Sequence, residues 1–115
     1  MITLFGIKNC DSVKKARKWL DTQSISYQFH DFRSDGINPT SIQLWLDAIG
    51  KDALINKRST TWKSLSDTEK QYTDDNSIIT LISQQPTLIK RPLLDTGNGI
   101  YVGFKADHYS ALFDQ

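Results

Sequence analysis

Cysteine occurs once in the 115 residues, at Cys10. A single thiol excludes an intramolecular disulfide and argues against a small secreted scaffold held by crosslinks. Histidine is almost as scarce. His30 and His108 show no HxxxH or HExxH spacing, and no Cys/His cluster could hold zinc, so no metal is expected. Phosphate-loop and GxGxxG patterns are absent as well. The chain has no apolar run of about 18 residues and no signal-peptide pattern, and Met1 leads straight into a first strand. No membrane partner is therefore expected, and a reducing cytoplasm is the expected location. An excess of one charge is also lacking: 14 basic and 13 acidic residues leave a net charge of +1, which gives no bulk attraction to nucleic acid. There is no internal repeat, and only residues 64–77 carry a polar, loop-like bias.

What is present is enough for one folded domain spanning residues 1–115. The hydrophobic fraction is 38%, with three tryptophans, which favours a packed core over a disordered chain. Residues 2–5 read as a short apolar strand. Residues 12–21 read as a helix, with Val13, Ala16 and Leu20 on one side. Residues 24–32 alternate, Ile25, Tyr27 and Phe29 against Ser26, Gln28 and His30, and read as a second strand. Strand, helix and strand within about 30 residues form a parallel βαβ unit. The turn carrying Cys10 then lies at the carboxyl end of the first strand, where open α/β sheets place their ligands.

After this unit, Asn38 and Pro39 supply an N-cap and a first helical residue, followed by the stripe Ile42, Trp45, Leu46 and Ile49 and a stop at Gly50. Ser66 and Glu69 have capping-box spacing and are expected to open a short helix. Another helix is expected from Asn76 or Ser77 to about Gln85-Pro86. Residues 38–86 thus form a helical insertion beside the βαβ unit. Thr96-Gly97-Asn98-Gly99 reads as a hairpin turn. Ile100, Val102 and Phe104 alternate in a last strand, and Asp107 is placed to cap a final helix. The order predicts an α/β fold with a four-stranded mixed sheet.

Cys10 itself allows two readings. Free cysteines are often small buried apolar residues. At the start of a helix, however, unpaired backbone N–H groups and the helix dipole favour an anion, which a thiolate is. An exposed helix end contributes only roughly 0.3–1 kcal/mol, so further positive charge is needed. Lys8 and Lys14 are the nearest cations in sequence, and Asp11 opposes them. Arginine occurs only at Arg17, Arg33, Arg58 and Arg91. Arg17 reads as a helix-surface side chain and Arg33 as a surface ion-pair residue. Arg58 and Arg91 lie in connecting segments, each preceded by a lysine, and offer planar forks for a carboxylate, an oxyanion or the thiolate. Solvated loop residues would look the same. His30 leaves a Cys–His pair open.

Three motifs in order, Lys8-Asn9-Cys10, Asn56-Lys57-Arg58 and Ile89-Lys90-Arg91-Pro92-Leu93, resemble the ArsC/Spx family of arsenate reductase-like proteins. The resemblance covers essentially the whole chain. Through Phe5 to Asp11, Asn56 to Trp62 and Tyr101 to Phe104 it is closest to the YffB-type subgroup. It implies a thioredoxin-like fold, with a four-stranded mixed β-sheet flanked by helices and a helical insertion after the βαβ unit. It implies Cys10 as nucleophile, with Arg58 and Arg91 framing an oxyanion or a thiol co-substrate. Lys8, Asn9, Ser12, Lys14 and Pro92 complete the implied binding site, and the Arg91–Pro92 bond is expected to be cis. The implied activity is that of a monothiol oxidoreductase, a glutathione-dependent thiol reductase acting as a monomer. Glutathione would be the co-substrate, because no second protein thiol can resolve a mixed disulfide. Two alternatives belong to the same family: an arsenate reductase coupled to glutathione and glutaredoxin, and a non-catalytic Spx-like transcriptional regulator binding RNA polymerase. This chain departs from both. Asp11 places a carboxylate beside the nucleophile, Lys105 stands where arsenate reductases carry a third arginine, and Val13 replaces the second cysteine of the Cys-x-x-Cys regulators.

Overall fold

The computed structural model describes residues 1–72 and 74–114. Strand β1 (Thr3–Gly6), helix α1 (Asp11–Thr22) and strand β2 (Gln28–Asp31) form the expected βαβ unit. A helical stretch follows, with α2 (Pro39–Ile49), α3 (Lys51–Leu54), α4 (Thr60–Lys63), α5 (Asp75–Gln84) and a 3-10 turn (Pro86–Leu88). Strands β3 (Leu93–Asp95) and β4 (Ile100–Val102) and helix α6 (Ala106–Phe113) close the chain. The sheet runs in the order β2-β1-β3-β4. Strand β1 is parallel to β2 and antiparallel to β3, and β3 is antiparallel to β4. The sheet is therefore mixed and flanked by helices on both sides.

Alternation along β1 splits the core between the two faces. Leu4 sits opposite Leu94 and packs with Ala16 and Leu20 of α1 and Tyr109 of α6. Phe5 sits opposite Leu93 and faces the other cluster, which holds Ile42, Trp45 and Leu46 of α2 with Ile78 and Ile82 of α5. The apolar stripe expected on α2 is thus core, and Asn38 caps it by accepting the Thr40 N–H at 2.8 Å. No helix among the described residues is long and apolar enough to cross a membrane.

Several elements differ from the sequence expectation. Strand β2 is four residues long. Ser24 takes a positive φ of 56° and the Ile25 N–H returns to the Leu20 carbonyl, so residues 24–27 finish the α1 turn before the ladder begins. Both bonds of the Ser66–Glu69 capping box form, yet no helix grows from it. The residues that follow, Lys70 and Gln71, are polar, and one turn without an apolar face does not repay the cost of nucleation. Helix α5 starts earlier than expected because Asp74 is its cap, accepting the Ser77 N–H at 2.8 Å. Strand β4 stops at Val102, since Gly103 turns out of the sheet at φ 80°. Asp107 lies in the first turn of α6 rather than capping it, and Lys105 occupies the cap position.

Candidate functional site

The first strand delivers the cysteine turn. Gly6 is buried at the end of β1, and a Cβ there would stand 2.6 Å from Cγ2 of Val13. Glycine lets α1 lie against the strand, which fixes where the helix begins. Cys10 is the N-cap of α1, with φ −95° and ψ 125° and no side-chain capping bond. Its N–H donates to the Ile7 carbonyl at 3.3 Å, and its carbonyl accepts from Lys14 N–H at 3.0 Å. The thiol is half-buried against the core cluster under α2. It therefore combines partial packing with the anion-favouring end of a twelve-residue helix.

Asp31, which the sequence reading passed over, holds this turn from below. It is 5% exposed. Its Oδ2 accepts the Lys8 N–H at 3.1 Å, while Oδ1 accepts the N–H groups of Arg33 at 2.7 Å and Ser34 at 3.3 Å. Burial disfavours the charge, but these three backbone donors and the Lys8 ammonium outweigh it and hold the carboxyl below its ordinary value. The result ties the turn two residues before Cys10 to the end of β2.

The two connecting segments that carry Arg58 and Arg91 meet through the backbone. Ile55 and Ile89 form an isolated antiparallel bridge. On either side of it, the Asn56 N–H donates to the Leu88 carbonyl and the Lys90 N–H to the Leu54 carbonyl, both at 2.8 Å. Asn56 then shapes its own loop: Oδ1 accepts the Arg58 N–H at 3.0 Å, and the backbone carbonyl accepts the Ser59 hydroxyl at 2.7 Å. The Arg91–Pro92 bond is cis, and the buried Pro92 accepts the Gly103 N–H at 2.9 Å. These connections assemble an open groove of about 810 Å³ in which Arg58, Arg91 and Ser12 of α1 are all wall residues. Lys57, Lys90, Lys105 and His108 complete its basic lining, and Asp52 is its one carboxylate.

Of the residues singled out from sequence, Ser12, Arg58 and Arg91 are brought together in the groove. Cys10 is not itself a wall residue and precedes Ser12 by two positions. Lys8 and Asn9 lie on the other side of the turn and line a smaller hollow of about 350 Å³ with Asp31 and Arg33. Lys14 is exposed on α1 and lines neither. Arg17 lies on the sheet surface, its guanidinium 4.3 Å from the Phe29 ring centre. His30 lies 5.1 Å from Phe5, ring centre to ring centre, and its Nε2 is 2.7 Å from the Gly36 carbonyl. It is engaged there rather than in a Cys–His pair. Lys57, Lys90, Lys105 and His108 were not expected as wall residues. The Lys-Arg pairs, Lys57-Arg58 and Lys90-Arg91, were the signal for the first two, the place of a third family arginine was the signal for Lys105, and His108 had none. No group of three or more potential metal ligands occurs among the described residues.

Fold and turn together define a thioredoxin-like α/β protein with one cysteine at the head of its first helix. The chain belongs to the ArsC family, whose model matches residues 5–112. The solved structure of a YffB protein is similar over 96% of this chain and 97% of that one, at 40% identity and a TM-score of 0.91. A second solved structure, an arsenate reductase (ArsC) related protein from Brucella melitensis, is 36% identical over 99% of this chain and 95% of its own, with a TM-score of 0.76. The global transcriptional regulator Spx of Streptococcus agalactiae is 30% identical over 96% of this chain and 82% of its own.

Proposed function

We propose that the protein is a glutathione-dependent thiol reductase of the cytoplasm that uses Cys10 as its single nucleophile. Membership of the ArsC family and likeness to an arsenate reductase-related protein support an oxidoreductase of the thiol- or arsenate-reductase kind. The observation that carries the finer reading is the basic groove beside the cysteine turn, with Arg58 and Arg91 in its wall. Glutathione has two carboxylates, and a pair of guanidinium forks suits them. The Cys10 thiolate attacks the glutathionyl sulfur of a mixed disulfide and expels the substrate thiolate. An external glutathione thiolate then attacks the Cys10–glutathione disulfide, regenerating Cys10 and leaving as glutathione disulfide. Asp31 acts at one remove, by holding Lys8 and with it the turn.

The test is to treat the protein with glutathione disulfide and read the product by intact mass. A single adduct on Cys10, absent from Cys10→Ser and formed at least about tenfold more slowly in Arg58→Ala/Arg91→Ala, is expected. Absence of an adduct from the unsubstituted protein would reject the reading.

One observation favours arsenate reduction as a second reading. Lys105 lines the same groove as Arg58 and Arg91, so a third cation is present although as lysine. Against it stands Asp11, exposed in the first turn of α1 beside Cys10. Turnover of arsenate with glutathione and glutaredoxin, above that of Cys10→Ser, would establish it. The likeness to Spx carries a regulator reading. Recovery of RNA polymerase equally by the unsubstituted protein and by Cys10→Ser, with no thiol chemistry in either, would replace both enzyme readings.

A further inference from the structure

The charge in the groove exceeds what one glutathione uses. Among the groove residues stand Lys57, Arg58, Lys90, Arg91 and Lys105, five cations against the one carboxylate of Asp52. The whole chain, by contrast, is balanced at 14 basic and 13 acidic residues. Lys57 is engaged elsewhere, its ammonium 5.5 Å from the centre of the Trp62 ring. The remaining four come from three segments of the fold. Arg58 and Arg91 lie on the two segments that the Ile55–Ile89 bridge ties together. Lys90 lies beside Gly103, where an added Cβ would be 3.8 Å from its Cε, and Lys105 follows Gly103 by two residues at the head of α6. No side chain caps that helix, so its first N–H groups add to the positive side of the groove. His108, one turn into α6, is also in the wall. At about 810 Å³ the groove lies toward the upper end of sites for drug-sized ligands, roughly 300–1,000 Å³.

We infer that the groove holds two glutathione units at once, one joined to Cys10 and held by Arg58 and Arg91, the second held by Lys90 and Lys105 as the resolving thiol. This rests on the glutathione reading above and deepens it. Four carboxylates then face four cations, and Asp52 is available to one of the two ammonium groups. The chemistry of a single-cysteine enzyme calls for such a place, because resolution must otherwise await a random collision. In the resolving step the bound glutathione thiolate forms a bond to the glutathionyl sulfur of Cys10–S–S–G. The bond between Cys10 and that sulfur breaks, and its electron pair returns to Cys10. Over the whole cycle the substrate disulfide is reduced, two glutathione units leave as glutathione disulfide, and the proton of the second glutathione passes through solvent to the substrate thiolate.

The Cys10–glutathione mixed disulfide, prepared with glutathione disulfide and purified, isolates this step. Its reduction by increasing reduced glutathione is followed by rapid mixing and quenching. The expected rate saturates, is inhibited by S-methylglutathione, which binds but cannot attack, and requires roughly fivefold or more glutathione for half-saturation in Lys90→Ala/Lys105→Ala. A rate that rises linearly throughout and ignores S-methylglutathione overturns the second site while leaving the glutathione reading intact. Failure of the mixed disulfide to form at all overturns both.

Discussion

At the scale of single residues, Asp31 shows how a buried charge can organise a site without touching substrate. Its three backbone donors come from Lys8 in the cysteine turn and from Arg33 and Ser34 just after β2. An asparagine keeps one acceptor oxygen but turns an N–H₂ group toward one of those donors. We expect Asp31→Asn to cost about 1–3 kcal/mol in denaturant unfolding, the penalty of a buried donor left unpaired. The pH dependence has a definite sign. The folded carboxyl is held below its ordinary value of 3.8, so its stabilisation is present above that pH and is lost as pH falls through the lower folded value. The stability gap between the unsubstituted protein and Asp31→Asn should therefore narrow in acid. If Asp31 positions the turn, alkylation of Cys10 by iodoacetamide should also change several-fold where both proteins are fully folded. Tyr109 is the opposite case. It is fully buried, and its hydroxyl has no hydrogen-bond partner among the described residues. Burial pushes its phenol well above the ordinary 10.0, so folding is favoured below about pH 10 and loses stability as pH rises above it. Tyr109→Phe should be as stable or up to about 1 kcal/mol more stable at neutral pH. Its thermal midpoint should fall less steeply in alkali.

At the scale of elements, the head of α1 depends on a contact between a strand and a helix. The 2.6 Å separation between a Cβ at position 6 and Val13 Cγ2 cannot be accommodated without movement. Gly6→Ala should destabilise the fold by about 1–3 kcal/mol, as overpacking does. It should also shift Cys10, which is the cap of that helix. Val13→Ala made in the Gly6→Ala background should recover part of the loss, and a double-mutant cycle in chemical denaturation would read the coupling directly. Additive effects of the two changes would mean that helix and strand do not press on each other here. The Ser66–Glu69 box makes a complementary point: its capping bonds form, yet local hydrogen bonds alone did not extend a helix. Packing decides where helices continue.

At the scale of the whole molecule, a nearly neutral chain places five of its 14 basic residues around one groove. The molecule measures 44 × 26 × 25 Å, several screening lengths at physiological salt, where the Debye length is about 8 Å. Net charge therefore does not describe what an anion meets at the groove. We expect Cys10 to react with anionic iodoacetate faster, relative to neutral iodoacetamide, than free cysteine does at low ionic strength. The preference should collapse toward the free-cysteine ratio as salt is raised. A ratio equal to that of free cysteine at low salt would place Cys10 outside the field of the groove, as Asp11 at its side would favour.

What the sequence by itself determined is local. The Cys10 turn between strand and helix, the Asn38 cap, the α2 stripe and the Gly97 turn are each written in neighbouring residues, because capping, periodicity and positive φ act over a few positions. The motifs at Cys10, Arg58 and Arg91 were legible too, with the mixed sheet that their order implies. The tertiary structure alone decided what those motifs share. Arg58 and Arg91 stand 33 residues apart in the chain, and the Ile55–Ile89 bridge joins the two segments that carry them into the wall of one groove. Lys105 and His108 join them because Gly103 turns the chain out of β4. Lys14, close to Cys10 in sequence, lies outside the groove, since its place on α1 is set by helical rotation and not by distance along the chain. Asp31 gave no signal because an acid at a strand end looks like any solvated carboxylate until the strands pair and its backbone donors converge.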